Sequence, residues 1–140
     1  MAGSARWRDS DAMQNRGAPT VFLVDDSAPI RERLEELLVQ GSPARIVGEA
    51  DSAATAIEGI LATRPTVAVL DYRLPDGTAV DILHAVAGVA RETVFIVLTN
   101  HVSAAVLAAC MAAGAQHFLD KSSEFDRLNA IIADFDAHPA

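Results

Sequence analysis

The residues able to do chemistry in this chain stand where apolar runs end. V-A-V-L-D (Val67–Asp71) drives four apolar side chains into Asp71, T-V-F-L-V-D-D (Thr20–Asp26) closes on Asp25 and Asp26, T-V-F-I-V-L-T (Thr93–Thr99) on Thr99, and A-Q-H-F-L-D is followed by Lys121, the chain's single lysine. A carboxylate at the end of an apolar strand is costly to desolvate unless something pairs with it or uses it. Three carboxylates gathered at one sheet edge repel by about 4 kcal/mol per pair at about 4 Å and an effective dielectric of about 20, so a cation belongs among them. Lys121 provides one positive charge. A hard divalent ion such as Mg2+ provides the rest, since it takes a few carboxylate oxygens and keeps waters and a phosphate oxygen as its other ligands. Asp71 then serves as a nucleophile toward a phosphoryl group, giving an aspartyl phosphate. Phosphoryl transfer needs mostly positioning and charge neutralisation, which the Thr99 hydroxyl and Lys121 offer beside the ion.

Each residue also has a plainer use. An Asp-Asp pair ahead of a helix makes a loop and a cap, threonine suits any strand, and a lysine suits a solvated helix start. Their joint occurrence at four strand ends is what points to a site.

The elements that position these residues follow from the apolar pattern. Short runs rich in Val and Ile, bounded by turn signals, read as strands: T-V-F-L-V-D, A-R-I-V-G-E-A, T-V-A-V-L-D, T-V-F-I-V-L-T and A-Q-H-F-L-D. Between them lie helical stretches: Ile30, Leu34, Leu37 and Leu38 form one stripe, and Phe125, Leu128, Ile132 and Phe135 another, the latter after Ser122 and Ser123, either of which suits an N-cap. The other helices are expected near Ser52–Thr63, Thr78–Ala90 and Ser103–Ala113. The alternation is a (βα)5 chain of α/β class, in which crossovers impose a parallel sheet with helices on both faces. Ligands bind such sheets outside the carboxyl ends of the strands, where the candidate residues stand. Only the second run, ending near Glu49 and Asp51, has no partner in the set.

Composition fits this architecture. Hydrophobic residues are 51% of the 140 and aromatics 5%, so one core is expected, built from Val, Leu, Ile and Ala. A net charge of −8 repels phosphate backbones and anionic lipid, which excludes direct nucleic-acid or membrane partners as expectations. One cysteine, Cys110, forms no internal disulfide, and the start of the chain lacks the apolar stretch of a signal peptide, so a cytoplasmic setting is expected. Residues 1–19 carry no apolar period and read as a flexible N-terminal arm, leaving 20–138 as the domain.

Over roughly Val21 to Ala137 the sequence resembles the receiver domain of two-component response regulators, chemotaxis-regulator-like in form. The resemblance rests on V-F-L-V-D-D-S, V-A-V-L-D-Y-R-L-P-D-G, F-I-V-L-T-N and H-F-L-D-K-S. It implies a flavodoxin-like sheet of order 2-1-3-4-5, with Asp71 as phosphoacceptor and Asp25, Asp26, Asp71 and the backbone carbonyl of Arg73 as Mg2+ ligands. Asp26 would bind directly and Asp25 largely through water. It further implies that Thr99 and Lys121 bind phosphoryl oxygens and that Phe118 is the aromatic switch, turning into space vacated by Thr99. The implied donor is a sensor histidine kinase or phosphotransfer protein in a phosphorelay, and the implied output is contact with a downstream protein target rather than enzymatic turnover. Three positions depart from the family's usual pattern. Asn100 replaces the small residue after the threonine, Arg73 sets a long cation two residues past the acceptor, and Ser122 stands where many members carry a proline after a cis bond, so the Lys121–Ser122 bond is expected to be trans. Arg73, Asn100 and His101 are the expected tuning positions for phosphoryl lifetime.

Two further expectations concern output. V-S-A-A-V-L-A-A-C-M-A-A (Val102–Ala113) has no charge, although core packing through Val106, Ala109 and Cys110 or a neighbouring stripe would leave its other side facing water. That side suggests a partner surface or a homodimer through the face of helix four, strand five and helix five. With D-A-H-P-A after the last helix, a stand-alone receiver is expected. The alternatives are a phosphorylation-independent interaction module, to which Asn100 lends support, and a Mg2+-dependent aspartyl-phosphate phosphatase of the haloacid-dehalogenase type. The latter needs a second acid where Arg73 stands.

Overall fold

The computed structural model describes residues 5–7, 18–42, 44–100, 102–123 and 125–136. Eight strands and five helices are present among them: β1 (Ala5–Trp7), β2 (Thr20–Val24), α1 (Ala28–Gly41), β3 (Arg45–Ala50), α2 (Ala53–Thr63), β4 (Val67–Asp71), β5 (Arg73–Leu74), β6 (Gly77–Thr78), α3 (Ala79–Val86), β7 (Val94–Thr99), α4 (Ala104–Ala113), β8 (His117–Asp120) and α5 (Phe125–Asp136). The main sheet runs β1-β3-β2-β4-β7-β8, and β3, β2, β4, β7 and β8 are mutually parallel. Taken as the five expected runs, this is the order 2-1-3-4-5.

Alternation along the strands splits the core in two. Phe22, Val24, Ala68, Leu70, Phe95 and Val97 face α2, α3 and Cys110 of α4. Val21, Leu23, Val67, Val69, Ile96 and Leu98 face Leu34 and Leu38 of α1 and Leu128 and Ile132 of α5. Every residue of β2 and β4 is buried, because helices cover both faces and leave no solvated side to a central parallel strand. Gly41 permits the close approach of α1 to α5: a Cβ there would meet Asn129 Nδ2, which donates to the Leu37 carbonyl at 3.2 Å.

Two expectations on element boundaries are revised. The third helix ends at Val86 rather than Ala90, where the chain tightens into a turn and the amides of both Val89 and Ala90 reach the Val86 carbonyl. Gly88 in this turn lowers helix propensity where nothing packs to offset it. Within the 1–19 arm, β1 pairs antiparallel with β3, setting Arg6 opposite Glu49 and Trp7 opposite Gly48. Three residues carry too little pattern to be read as a strand; the open edge of β3 provides the pairing. Residues 1–4 and 8–17 of the arm lie outside the described residues.

Helix caps fix the loops that carry the site. Ser27 Oγ accepts from the Ile30 amide to start α1, with Pro29 in the first turn. Thr78 and Asp81 form a capping box on α3. Asp76, from the P-D-G turn, reaches across to α2, accepting the amides of Ala53 at 2.6 Å and Ala54 at 3.0 Å. The loop after Asp71 is thus tied to the starts of two helices. The two backbone hydrogen bonds hold the Asp76 carboxyl below its ordinary range, with the Ala53 amide the larger influence. Asp76→Ala is expected to cost about 1 kcal/mol in urea unfolding at pH 7. Because the folded-state pKa is lowered, this contribution is present above the ordinary carboxylate pKa and fades as pH falls through the folded value, so the two proteins should converge in acid.

Exposure on α4 follows the expectation with one change. Cys110 is buried and Val106 and Ala113 pack partly against the core, whereas Ala109 is exposed. Val102, Leu107 and Met111 are 53%, 38% and 43% exposed, giving an uncharged outer face.

Candidate functional site

The ends of β2, β4, β7 and β8 deliver their polar groups to a single cleft. The apolar residues of β2, β4 and β7 lock these strands side by side, so Asp25, Asp71 and Thr99 emerge at the same carboxyl edge. β8 joins β7 with Thr99 opposite Asp120, and the Lys121 amide donates to the Thr99 carbonyl at 2.8 Å, which turns the lysine back over the edge. The cleft measures about 510 Å³ and is lined by Asp25, Asp26, Asp71, Arg73, Thr99, Asn100 and Lys121 together with Ser27, Ile30, Arg33 and Ser122.

Lys121 sits at the centre of the charges. Its Nζ lies 2.5 Å from Asp25 Oδ2 and 3.2 Å from Asp71 Oδ1, and its side chain is 8% exposed. Asp25 is 1% exposed and its Oδ1 accepts the Ser27 amide at 2.9 Å, whereas Asp26 is exposed. Burial, then the charge of Asp25, raises the Asp71 pKa to about 6 against the opposing pull of Lys121. For Lys121, burial acts downward, but the hydrogen bond to Asp25 and the charges of Asp71 and Asp25 outweigh it and hold the ammonium above the ordinary lysine value. One ammonium therefore leaves the cluster short of positive charge.

The donor set fits a hard cation. One carboxylate oxygen each from Asp25, Asp26 and Asp71 lies within 4.8 Å of the others, close enough for one ion with Mg–O distances of about 2.1 Å to be shared among them after small side-chain adjustments. All three donors are hard oxygens, and exposed Asp26 leaves one side open to waters.

Phe118 stands in β8 opposite Val97, half-buried against the same core layer, so it shares a face with Thr99 two residues along β7. Arg73 pairs with Thr78 in the β5–β6 ladder and has an exposed side chain, as does Asn100. His101 lies outside the described residues. The Lys121–Ser122 bond is trans, no cis bond occurring among the described residues. Ser122 donates both its amide and its hydroxyl to Asp120 Oδ1, at 2.8 and 2.6 Å.

Two participants were not singled out from the sequence. Arg31 donates through Nη1 to the Asp25 carbonyl at 2.6 Å and through Nε to Glu49 Oε1 at 2.8 Å. Glu49, the strand-end acid that lacked a partner, belongs to this bridge. Ser27 is the second, both capping α1 and orienting Asp25. A serine after Asp-Asp with proline two residues on is a legible cap signal; the reach of Arg31 to β3 is a tertiary contact with no local signature.

Comparison with known proteins agrees with this geometry. The chain is 34% identical over 117 residues to the DNA-binding transcriptional activator DevR/DosR of Mycobacterium tuberculosis, covering 84% of this chain and 54% of that protein. It is 33% identical over 111 residues to the regulatory protein LuxO of Vibrio vulnificus, covering 79% of this chain and 24% of that protein. The chain therefore spans about half the length of the first relative and less of the second. Among solved structures, the signal receiver domain of the response regulator NarL from M. tuberculosis superposes with a TM-score of 0.79 at 30% identity, covering 86% of this chain and 97% of that one. The family described as response regulator receiver domain matches residues 21–133, and the chain belongs to it.

Proposed function

We propose that this receiver domain takes a phosphoryl group on Asp71 from a sensor histidine kinase or phosphotransfer protein and passes the change on by protein contact. The observation that carries the reading is the placement of Lys121 Nζ between Asp25 Oδ2 and Asp71 Oδ1. One ammonium holds the nucleophilic carboxylate and one edge of the acidic cluster at once. In this reading Asp25, Asp26, Asp71 and the Arg73 carbonyl hold Mg2+, which when bound supplies charge neutralisation for the carboxylates and the incoming phosphoryl oxygens. Thr99 and Lys121 take up oxygens of the phosphorylated product. Phe118 follows Thr99 on the shared face, making the β7–β8 region the bistable element. Arg73 and Asn100, exposed at the cleft mouth, tune access and lifetime, and His101 is assigned the same part.

Output is assigned to the uncharged face of α4 and the loop leading into it, where Val102, Leu107 and Met111 offer an apolar contact to a target or to a second copy. In its simplest form the receiver stands alone and meets its target in trans. An immunoblot revealing a longer native polypeptide would make the target a domain of the same chain. The acidic surface argues against direct DNA contact by this domain, and no helix of the described residues is long and apolar enough to cross a membrane. DNA binding is named for DevR/DosR, not for this chain.

Intact-mass measurement after incubation with acetyl phosphate and Mg2+ tests the proposal. The expected result is one phosphoryl adduct on the unaltered chain and none on Asp71→Ala. No adduct on the unaltered chain would favour a phosphorylation-independent module. Sustained turnover of a generic phosphate ester, lost in Asp71→Asn, would favour a phosphatase.

A further inference from the structure

The Arg31–Glu49 pair is not in the cleft, yet it grips the backbone that aims two of the three clustered carboxylates. Arg31 Nη1 donates to the Asp25 carbonyl at 2.6 Å. That carbonyl belongs to the peptide joining Asp25 to Asp26, so its orientation fixes the direction in which both side chains leave the chain. Three other contacts hold this corner: the Asp25 amide donates to the Ala50 carbonyl at 3.1 Å, the Ser27 amide donates to Asp25 Oδ1, and Arg31 Nε donates to Glu49 Oε1 at 2.8 Å. The Arg31 side chain is 13% exposed and that of Glu49 25%, so the bridge is largely withdrawn from water. A planar guanidinium has two arms at a fixed angle and can hold a carbonyl on β2's exit loop and a carboxylate on β3 together; an ammonium is a single point donor.

We infer that Arg31 is a positioning residue for the divalent-cation site, with Glu49 as the anchor that orients its guanidinium. The inference rests on the receiver chemistry proposed above and adds a residue to it. Charge alone would act in the opposite sense: a guanidinium beside the acidic cluster repels an incoming cation, so its removal should tighten cation binding. Positioning predicts weaker binding, because groups that orient metal ligands typically cost 10- to 100-fold in affinity when lost. The sign of the effect separates the two.

The experiment is isothermal titration of MgCl2 into the unaltered chain and into Arg31→Gln, Arg31→Lys, Glu49→Gln and Thr93→Ala, with the metal-free melting midpoint of each protein measured alongside. Arg31→Gln is expected to weaken Mg2+ binding by about tenfold. Arg31→Lys should also weaken it, since the charge is kept but one of the two arms is lost. Glu49→Gln, which still offers an oxygen to Nε, should stay within a factor of about three of the unaltered chain on the same reasoning. Thr93→Ala, which removes a buried hydrogen bond to the Pro65 carbonyl at the opposite edge of the sheet, should lower the midpoint and leave Mg2+ affinity unchanged. If Arg31→Gln does not fold, Arg31→Lys carries the test. Equal or tighter binding by the Arg31 variants would overturn the inference while leaving the receiver chemistry intact. No Mg2+ uptake by the unaltered chain would overturn both.

Discussion

Lys121→Met is expected to destabilise the metal-free protein by about 3 to 5 kcal/mol at pH 7, read as a fall in urea midpoint at constant slope. The reason is the company the ammonium keeps. Asp25 is 1% exposed and Asp71 8%, and Lys121 is the cation bridging them. Removing one partner of a buried ion pair leaves an uncompensated charge, which costs far more than loss of a surface pair at about 0 to 1 kcal/mol. The double variant Lys121→Met with Asp25→Asn should recover much of the loss, and the non-additivity measures the coupling. A single-variant loss below about 1 kcal/mol would mean the pair behaves as if solvated. The bridge also has a direction in pH. Because the folded-state pKa of Lys121 is raised, its contribution is complete below the unfolded value of 10.5 and is lost as pH rises through the folded one.

Asp71→Asn should do the opposite and stabilise the metal-free protein by about 2 to 3 kcal/mol at pH 8. The folded-state pKa of Asp71 is pushed from 3.8 to about 6 by burial and the Asp25 charge, so ionising it costs the folded chain more than the unfolded one. At about 1.4 kcal/mol for each pH unit of displacement, that sets the size. The sign follows from the raised value. The unaltered protein has its full stability from this group below about pH 3.8 and loses it as pH rises through about 6, so the advantage of the amide should appear across that window and be absent in acid. Urea titrations of both proteins at several pH values in EDTA measure it. A stability difference between the two proteins that is the same at pH 8 and pH 4 would show that ionising Asp71 costs the folded chain nothing extra. Adding Mg2+ should narrow or reverse the difference, since an ion that binds only the folded cluster stabilises by about 2.7 kcal/mol at a hundredfold excess over its dissociation constant. Such a stored cost suits the phosphoacceptor role proposed for this carboxylate.

Much of this site was readable before folding, for a physical reason. In a parallel sheet, whatever follows each strand emerges on one edge, so Asp25, Asp71, Thr99 and Lys121 could be brought together by reading strand ends alone. The (βα)5 class was legible in the same way, because buried strands and amphipathic helices leave distinct periodicities in sequence. The sheet order came instead from likeness to a family.

What only tertiary structure decided are contacts whose partners are far apart along the chain and carry no local signature. Asp76 looked like part of a turn and accepts the first amides of α2, 23 residues from Ala53, beside the Ser52 N-cap. Glu49 looked unpartnered and is joined by Arg31 to the carbonyl that orients the acidic pair. The strand at Ala5–Trp7 exists because β3 offers an open edge, not because three residues announce one. Periodicity and residue type fix which groups face which edge, but the pairing of groups within an edge depends on packing that brings distant segments into register.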